Sequence, residues 1–172
     1  VTYYTLNTFN NVISRNNLKI VDISFNEING GSIQVVCAKK TNKVYVNKKK
    51  ILETLNDEKL INLESYKRFN ERVNNTKKVI QLFLGKNKGK KNIVGYGAST
   101  KGNIVLNHCE ITSKNLPYIC DANPYKFGRY TPGSNIKIIS KNKMRKIKPD
   151  YLLVLIWSFR SEVIRQELNY IK

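Results

Sequence analysis

The sequence is short of acid, of cysteine and of histidine, and each shortage narrows the reading. Asp and Glu number 12 against 31 Lys and Arg, a formal net charge of +19. Such an excess first points to nucleic acid or an acidic membrane surface. Three features count against that. Most of the cations are Lys, whereas groove reading and phosphate forks favour Arg. They are spread along the chain. Asn and Ile are abundant too, so the excess reads as a general bias towards Lys, Asn and Ile. What survives is a general attraction for anionic small molecules. The cysteines, Cys37, Cys109 and Cys120, lie far apart and form no Cys-x-x-Cys pair; His108 is the only histidine. Disulfides and a zinc site are therefore not expected, and a reducing cytoplasm fits. No signal peptide is present, and no apolar run is long enough to span a bilayer.

What is present is ordinary in size and unusual at one place. The chain has 172 residues and 41% hydrophobic content, enough for one full domain and part of another. It is organised around Ile93-Val94-Gly95-Tyr96-Gly97-Ala98-Ser99-Thr100-Lys101-Gly102. An apolar strand end runs into a glycine-rich turn, and a helix-capable segment follows. A phosphate can use such a corner: glycine removes the Cβ, and the first helical turn offers unpaired N–H groups. The spacing Gly-x-Gly-x-x-x-x-Gly matches neither the dinucleotide fingerprint nor the P-loop. Two readings fit it, a phosphate or nucleotide site and a tight strand-to-helix turn with no ligand.

Before this stretch, Leu6, Phe9, Val12 and Ile13 recur at helical spacing, and two strands follow at 18–25 and 32–38 across Asn29-Gly30-Gly31. A helix and a hairpin bury little alone, so they are expected to be the end of a larger sheet. The opening Val, where Met would start a gene, agrees with a piece of a longer chain. Residues 39–50 read as a linker or exposed excursion. A long helix capped by Asn56 or Asp57 is then expected to about residue 84, with Leu60, Leu63, Tyr66, Phe69, Val73, Ile80 and Phe83 against a core.

From Asn92 strands and helices alternate: strands over 92–97, 116–121, 136–139 and 151–157, a helix over 101–110, and a long loop over 121–133. The run 151–157 is apolar on both faces, as a central parallel strand would be. A closing helix over 158–171 would turn Val163, Ile164 and Leu168 inward. The pattern predicts a doubly wound, mostly parallel α/β sheet of Rossmann-like type. Ligands of such sheets sit at the carboxyl ends of the strands. The glycine loop, Asp121 and Trp157-Ser158 all fall there.

Three stretches carry a family resemblance: Gly95-Tyr-Gly-Ala-Ser-Thr-Lys-Gly102, Asp121-Ala-Asn-Pro-Tyr-Lys-Phe-Gly-Arg-Tyr-Thr-Pro-Gly133 and Pro149-Asp-Tyr-Leu-Leu-Val-Leu-Ile-Trp157. Together they resemble the C-terminal domain of the sugar C-methyltransferases. Tyr3-Tyr4-Thr5-Leu6 and Gly30-Gly31-Ser32 resemble the end of that family's middle domain. The resemblance implies that 1–40 are the helix and hairpin of an incomplete methyltransferase domain. It makes 41–56 a linker and 57–172 a Rossmann-like, nucleotide-sugar-binding C-terminal domain. It implies a parent enzyme that methylates a carbon of a nucleotide-linked 4-keto-6-deoxy sugar. A proton α to the ketone is removed, and the enolate attacks the methyl of S-adenosylmethionine.

The parent's S-adenosylmethionine and zinc sites, and the Glu-His pair tied to proton transfer, would lie outside this chain. The chain itself would bind no cofactor and hold no catalytic residue. His108 is not at the family's position and reads as a surface or packing residue. Its share would be the nucleotide-sugar, through Gly95, Tyr96, Gly97, Ala98, Ser99, Lys101, Gly102, Asp121, Asn123, Lys126, Tyr130 and Trp157. Asp121 has two readings of equal standing, a ribose-hydroxyl acceptor and a cap for the Asn123-Pro124 turn. Its partners would be a nucleotide-diphosphate sugar and the N-terminal catalytic part of the same enzyme, with no specific nucleic acid and no membrane. Two alternatives belong to other classes: a stand-alone nucleotide-sugar binding or regulatory module, and a basic nucleic-acid-binding domain. A third possibility is that the domain only buttresses the catalytic one.

Overall fold

The computed structural model describes residues 3–170. They fall into two compact units that divide between Glu71 and Arg72. In the first unit, α1 (Leu6–Ser14) is opened by a capping box: the Thr5 side chain accepts from the Thr8 N–H, and the Thr8 side chain accepts from the Thr5 N–H. The Glu58 carboxylate supports the same helix start, accepting from the N–H groups of Leu6 and Asn7. The strands β1 (Leu18–Asn26) and β2 (Ser32–Lys39) form the expected antiparallel hairpin. A register shift between Ile20 and Asp22 lets Ile20, Val21 and Ile23 all be buried, which strict alternation would forbid.

The stretch 39–50 is not wholly irregular. Helix α2 (Lys48–Glu58) begins within it, capped by Asn47, and puts Ile51 and Leu55 against Leu6, Ile13, Ile20 and Ile23. The long helix α3 (Leu63–Asn87) therefore starts later than expected, and its cap is Asn62, whose Oδ1 accepts from the Ser65 N–H at 3.0 Å. Its apolar stripe meets a core only towards the C-terminal end, where Ile80 packs against the cluster around Leu84. Leu63, Tyr66 and Phe69 are exposed, as is Leu60 before the helix, and Leu84 is the buried residue of α3.

The second unit is a four-stranded parallel sheet in the order β5-β4-β3-β6, with helices on both faces, so the fold is Rossmann-like α/β. Its strands are β3 (Ile93–Tyr96), β4 (Tyr118–Asp121), β5 (Lys137–Ser140) and β6 (Tyr151–Val154). Alternate strand residues feed two cores. On one face Ile93, Ile119 and Ile138 meet Leu84 of α3 and Leu106 of α4 (Thr100–His108). On the other Val94, Cys120 and Ile139 meet Met144 of α5 (Lys141–Ile147) and Val163 of α6 (Arg160–Gln166). Burial on both faces explains why these strands read as continuous apolar runs.

Two expectations are corrected here. Among the described residues β6 is an edge strand, not a central one, and its side chains from Leu152 to Val154 are only partly buried. The closing helix is shorter than expected, since Trp157–Phe159 form a 3-10 turn before α6. Val163 is inward, but Ile164 and Leu168 are exposed and Glu167 takes the inward place. The cause is periodicity: Glu167 lies four residues beyond Val163, one helical turn on the same face. The opposite edge, β5, is covered. Residues 128–131 run antiparallel to it, with Gly128 N–H donating to the Ile138 carbonyl at 2.9 Å and Ile138 N–H to the Arg129 carbonyl at 2.8 Å.

The chain runs β3, β4, β5 to one side and then returns to place β6 on the other side of β3. The strand ends of β3 and β6 thus flank the point where the strand order reverses. Gly97 lies there with φ 91°, and a Cβ on it would meet Ile156 Cγ2 at 2.6 Å. Gly97→Ala should lower stability by about 3 kcal/mol, from strain at positive φ and overpacking together. Gly128→Ala should cost less, because Gly128 also has positive φ (80°) but nothing lies within 4 Å of its added Cβ. Urea denaturation of both variants measures the difference, and equal losses would remove the packing role of Gly97.

Candidate functional site

The glycine loop is first a packing device. Besides the Gly97–Ile156 approach, a Cβ on Gly95 would meet Ile119 Cγ1 at 3.0 Å, and one on Gly102 would meet Leu155 Cβ at 3.0 Å. These glycines draw β4, Ile156 and α4 close around β3. Three of the loop's N–H groups are committed inside the chain: Gly97 to the Cys120 carbonyl, Ser99 to the Gly97 carbonyl and Gly102 to Ser99 Oγ. Ser99 is thus the N-cap of α4. Ala98 is buried, and the Lys101 side chain is exposed on the first turn of α4.

The second part follows β4. Asp121 Oδ1 accepts from the Asn123 N–H at 2.8 Å, and its Oδ2 pairs with Lys126 Nζ at 3.1 Å. The Lys126 ammonium also donates to the Ala98 carbonyl at 2.9 Å, so it ties the loop after β4 to the glycine loop. Asp121 caps its turn and also faces the glycine loop. Asn123 caps the short 3-10 helix Pro124–Lys126 by accepting from the Tyr125 N–H at 3.0 Å. Tyr130 is exposed beside the outer strand β5. Trp157 is exposed, with the Arg160 guanidinium 5.0 Å over its ring.

At the strand ends lies a cavity of about 290 Å³. Tyr96, Gly97 and Asp121 line it, with Lys141, Ile156, Phe159, Glu162, Val163 and Gln166, none of which the sequence pattern singled out as a site residue. Asn123, Tyr130 and Trp157 are not among its walls. Behind it is a buried polar network. Tyr96 is buried, and its hydroxyl donates to Glu167 Oε1 at 2.9 Å. Glu167 is fully buried and receives a bidentate pair from Arg145, Nε to Oε2 and Nη2 to Oε1, both at 3.0 Å. Burial alone would push the Glu167 carboxyl up, but the Arg145 and Tyr96 bonds hold it below the usual range. Tyr96 is raised, by burial first and then by the bond to Glu167. Burial likewise pushes the Cys120 thiol up to about 12, so it stays protonated and unreactive. Nearer the opening, Lys141 Nζ donates to Gln166 Oε1 at 2.6 Å, and Gln166 Nε2 donates to Glu162 Oε1 at 2.8 Å. Among the described residues no group of three or more His, Cys, Asp or Glu could hold a metal ion.

Residues 27–172 match the family described as the C-methyltransferase C-terminal domain. The chain is 28% identical, over 177 aligned residues, to the C-methyltransferase NovU of Streptomyces niveus. That alignment covers 99% of this chain and 41% of the relative, so the chain spans less than half of the relative's length. No helix among the described residues is long and apolar enough to cross a membrane.

Glu167→Ala should leave the Arg145 guanidinium and the Tyr96 hydroxyl without their shared partner. A loss of about 3 kcal/mol is expected, the lower end for a broken buried pair because Arg145 can still reach water. The sign with pH follows from the lowered carboxyl. Its contribution is complete above the unfolded carboxyl value of about 4.3 and is lost as pH falls through the folded value. Denaturation midpoints against pH should therefore fall more steeply below about pH 4.3 for the wild type than for the variant. Parallel curves would assign the acid sensitivity elsewhere.

Proposed function

The chain belongs to the C-methyltransferase C-terminal domain family, and from that membership we propose that it is the C-terminal portion of an S-adenosylmethionine-dependent enzyme methylating a carbon of a nucleotide-linked 4-keto-6-deoxy sugar. Its own task in this reading is to hold the nucleotide diphosphate. Methyl donor, zinc and proton-abstracting base are assigned to the rest of the enzyme, in a reducing cytoplasm. No step of the chemistry is given to this chain in this reading, and its histidine, His108, is exposed at the end of α4.

The observation that carries the reading is convergence at the order-reversal point of the sheet. The glycine loop, the first turn of α4 with Lys101, Asp121 and the cavity all lie at the carboxyl ends of β3, β4 and β6. A helix N-terminus favours an anion, and the Lys101 charge on the same turn would add to that attraction. The net charge of +19 draws polyanionic ligands towards the chain at low salt. One observation favours the buttress reading. The three glycines serve packing within the domain, and the N–H groups of Gly97, Ser99 and Gly102 are committed inside it. A bound diphosphate would therefore rely on Lys101 and the first turn of α4.

Lys101→Ala should weaken uridine or thymidine diphosphate by one to two powers of ten, since charge-assisted contacts are worth roughly 1.5–3 kcal/mol. It should leave the empty domain's stability nearly unchanged. Ligand at a hundredfold excess over its dissociation constant should stabilise the wild type by about 2.7 kcal/mol, and the variant should lose most of that. Equal calorimetric affinity of the two proteins would make the buttress reading the leading one. The chain by itself should also transfer no methyl group. Turnover of S-adenosylmethionine with any keto-sugar nucleotide by the purified 172-residue protein would refute the division of labour.

A further inference from the structure

The parallel sheet has a second edge, at the amino ends of its strands, and the chemistry there is different. Beside the starts of β3 and β4 lies a cavity of about 340 Å³, within the size range of small-molecule sites. Four lysines line it: Lys88, Lys90 and Lys91 from the turn after α3, and Lys114 from the loop before β4. The turn is made at Gly89, whose φ of 72° brings the lysines on either side of it to one opening. The buried residues Leu84, Ile93 and Val94 belong to the same lining, so protein rather than water lies beneath the charges.

Lys91 is paired, with its Nζ 3.0 Å from Asp150 Oδ1, while Asp150 Oδ2 accepts from the Asn92 N–H at 2.8 Å. Among the described residues the ammonium groups of Lys88, Lys90 and Lys114 have no partner. Four cations thus gather against one carboxylate that is already engaged on both oxygens. Like charges held around a concavity repel one another, and its low-dielectric wall focuses their field. A compact anion that met several of these ammonium groups at once would relieve the repulsion. Lysine, a point charge on a flexible stem, suits phosphate oxygens without demanding a planar fork.

We propose that this cavity is a second anion site, for a chain of three or more phosphates, free or carried by a nucleotide. It lies at the opposite end of the strands from the first turn of α4, and it does not depend on the nucleotide-sugar reading.

The test titrates the full chain with inorganic tripolyphosphate, uridine triphosphate and uridine diphosphate. Four proteins are compared: wild type, Lys101→Ala, the double variant Lys88→Ala/Lys114→Ala, and a charge control, Lys43→Ala/Lys49→Ala, in the other unit. The four lysines of the double variants are exposed, so their replacement should leave the fold intact. Tripolyphosphate should bind the wild type and Lys101→Ala alike, and its amide shifts should centre on Gly89 and Asn115. Loss of Lys88 and Lys114 should weaken it about tenfold or more. The charge control should weaken it less than about threefold at physiological salt, where distant exposed charges are screened. Equal losses in the two double variants would overturn the inference, because net charge alone would then hold the anion. An equal loss in Lys101→Ala, or no binding of tripolyphosphate, would overturn it too. Within Lys101→Ala, uridine triphosphate binding tighter than tripolyphosphate would support the site with a nucleotide as its ligand; equal or weaker binding would support it with the inorganic chain. Uridine diphosphate should lose affinity in Lys101→Ala and keep it in the Lys88/Lys114 variant, so the two anion sites stand or fall separately.

Discussion

Ile156 fills the space that a side chain at position 97 would need. That exclusion governs the carboxyl edge of the sheet. With no Cβ at Gly97, the segment after β6 can close against the turn after β3, and the two strands that flank the reversal of order come together. Gly95 and Gly102 do the same for β4 and for Leu155 just beyond β6. The cavity, the start of α4 and the Asp121 turn inherit their positions from these approaches. A glycine-rich loop is commonly read as an anion cradle. Here its glycines are required by packing whether or not an anion binds, and any ligand contact is added to that requirement.

The second constraint is the placement of so few acids among so many cations. Glu58 supports the N-terminus of α1, Asp150 holds the Asn92 N–H and pairs with Lys91, and Glu110 pairs with Lys77. Glu167 is buried with Arg145 and Tyr96, and so joins α5, α6 and β3 behind the cavity wall. Such a pair adds less stability than its bonds alone imply, because the Glu167 carboxylate loses all of its water and Arg145 part of its own. Its effect is on register: α6 has one rotation that puts both Val163 and Glu167 inward, and that rotation faces Glu162 to the cavity.

The strands of the second unit and the glycine corner were legible in the sequence because a parallel sheet buried on both faces leaves unbroken apolar runs. The helix and hairpin of the first unit were legible from period alone. The rest was hidden for identifiable reasons. Lys48, Lys49 and Lys50 gave the first turn of α2 the look of a solvated linker, although Asn47 caps it. The stripe from Leu60 to Phe69 has helical spacing, and spacing reports a face without saying what covers it; in this structure those residues are exposed. Ile164 and Leu168 are apolar, which favours an inward place, whereas the helical turn from Val163 selects Glu167. No local signal marks a pairing between Arg145 and Glu167, two residues on different helices. Lys141, Phe159 and Glu162 become neighbours of Asp121 only when the strand order is known.

Lys126 has a consequence for the thermodynamics of recognition. Its ammonium bonds the Ala98 carbonyl on one loop and the Asp121 carboxylate on the next, using contacts internal to the chain. Two loops left separate would each lose backbone freedom when a ligand arrived, at a cost of roughly 1–2 kcal/mol per residue fixed. The strap moves that ordering into the folding reaction. The rim of the cavity is then tied before any ligand is present, and a ligand bound there would leave less loop ordering to be done on association. Modest contact area would then suffice for a ligand at this edge, because the strap already joins the two loops.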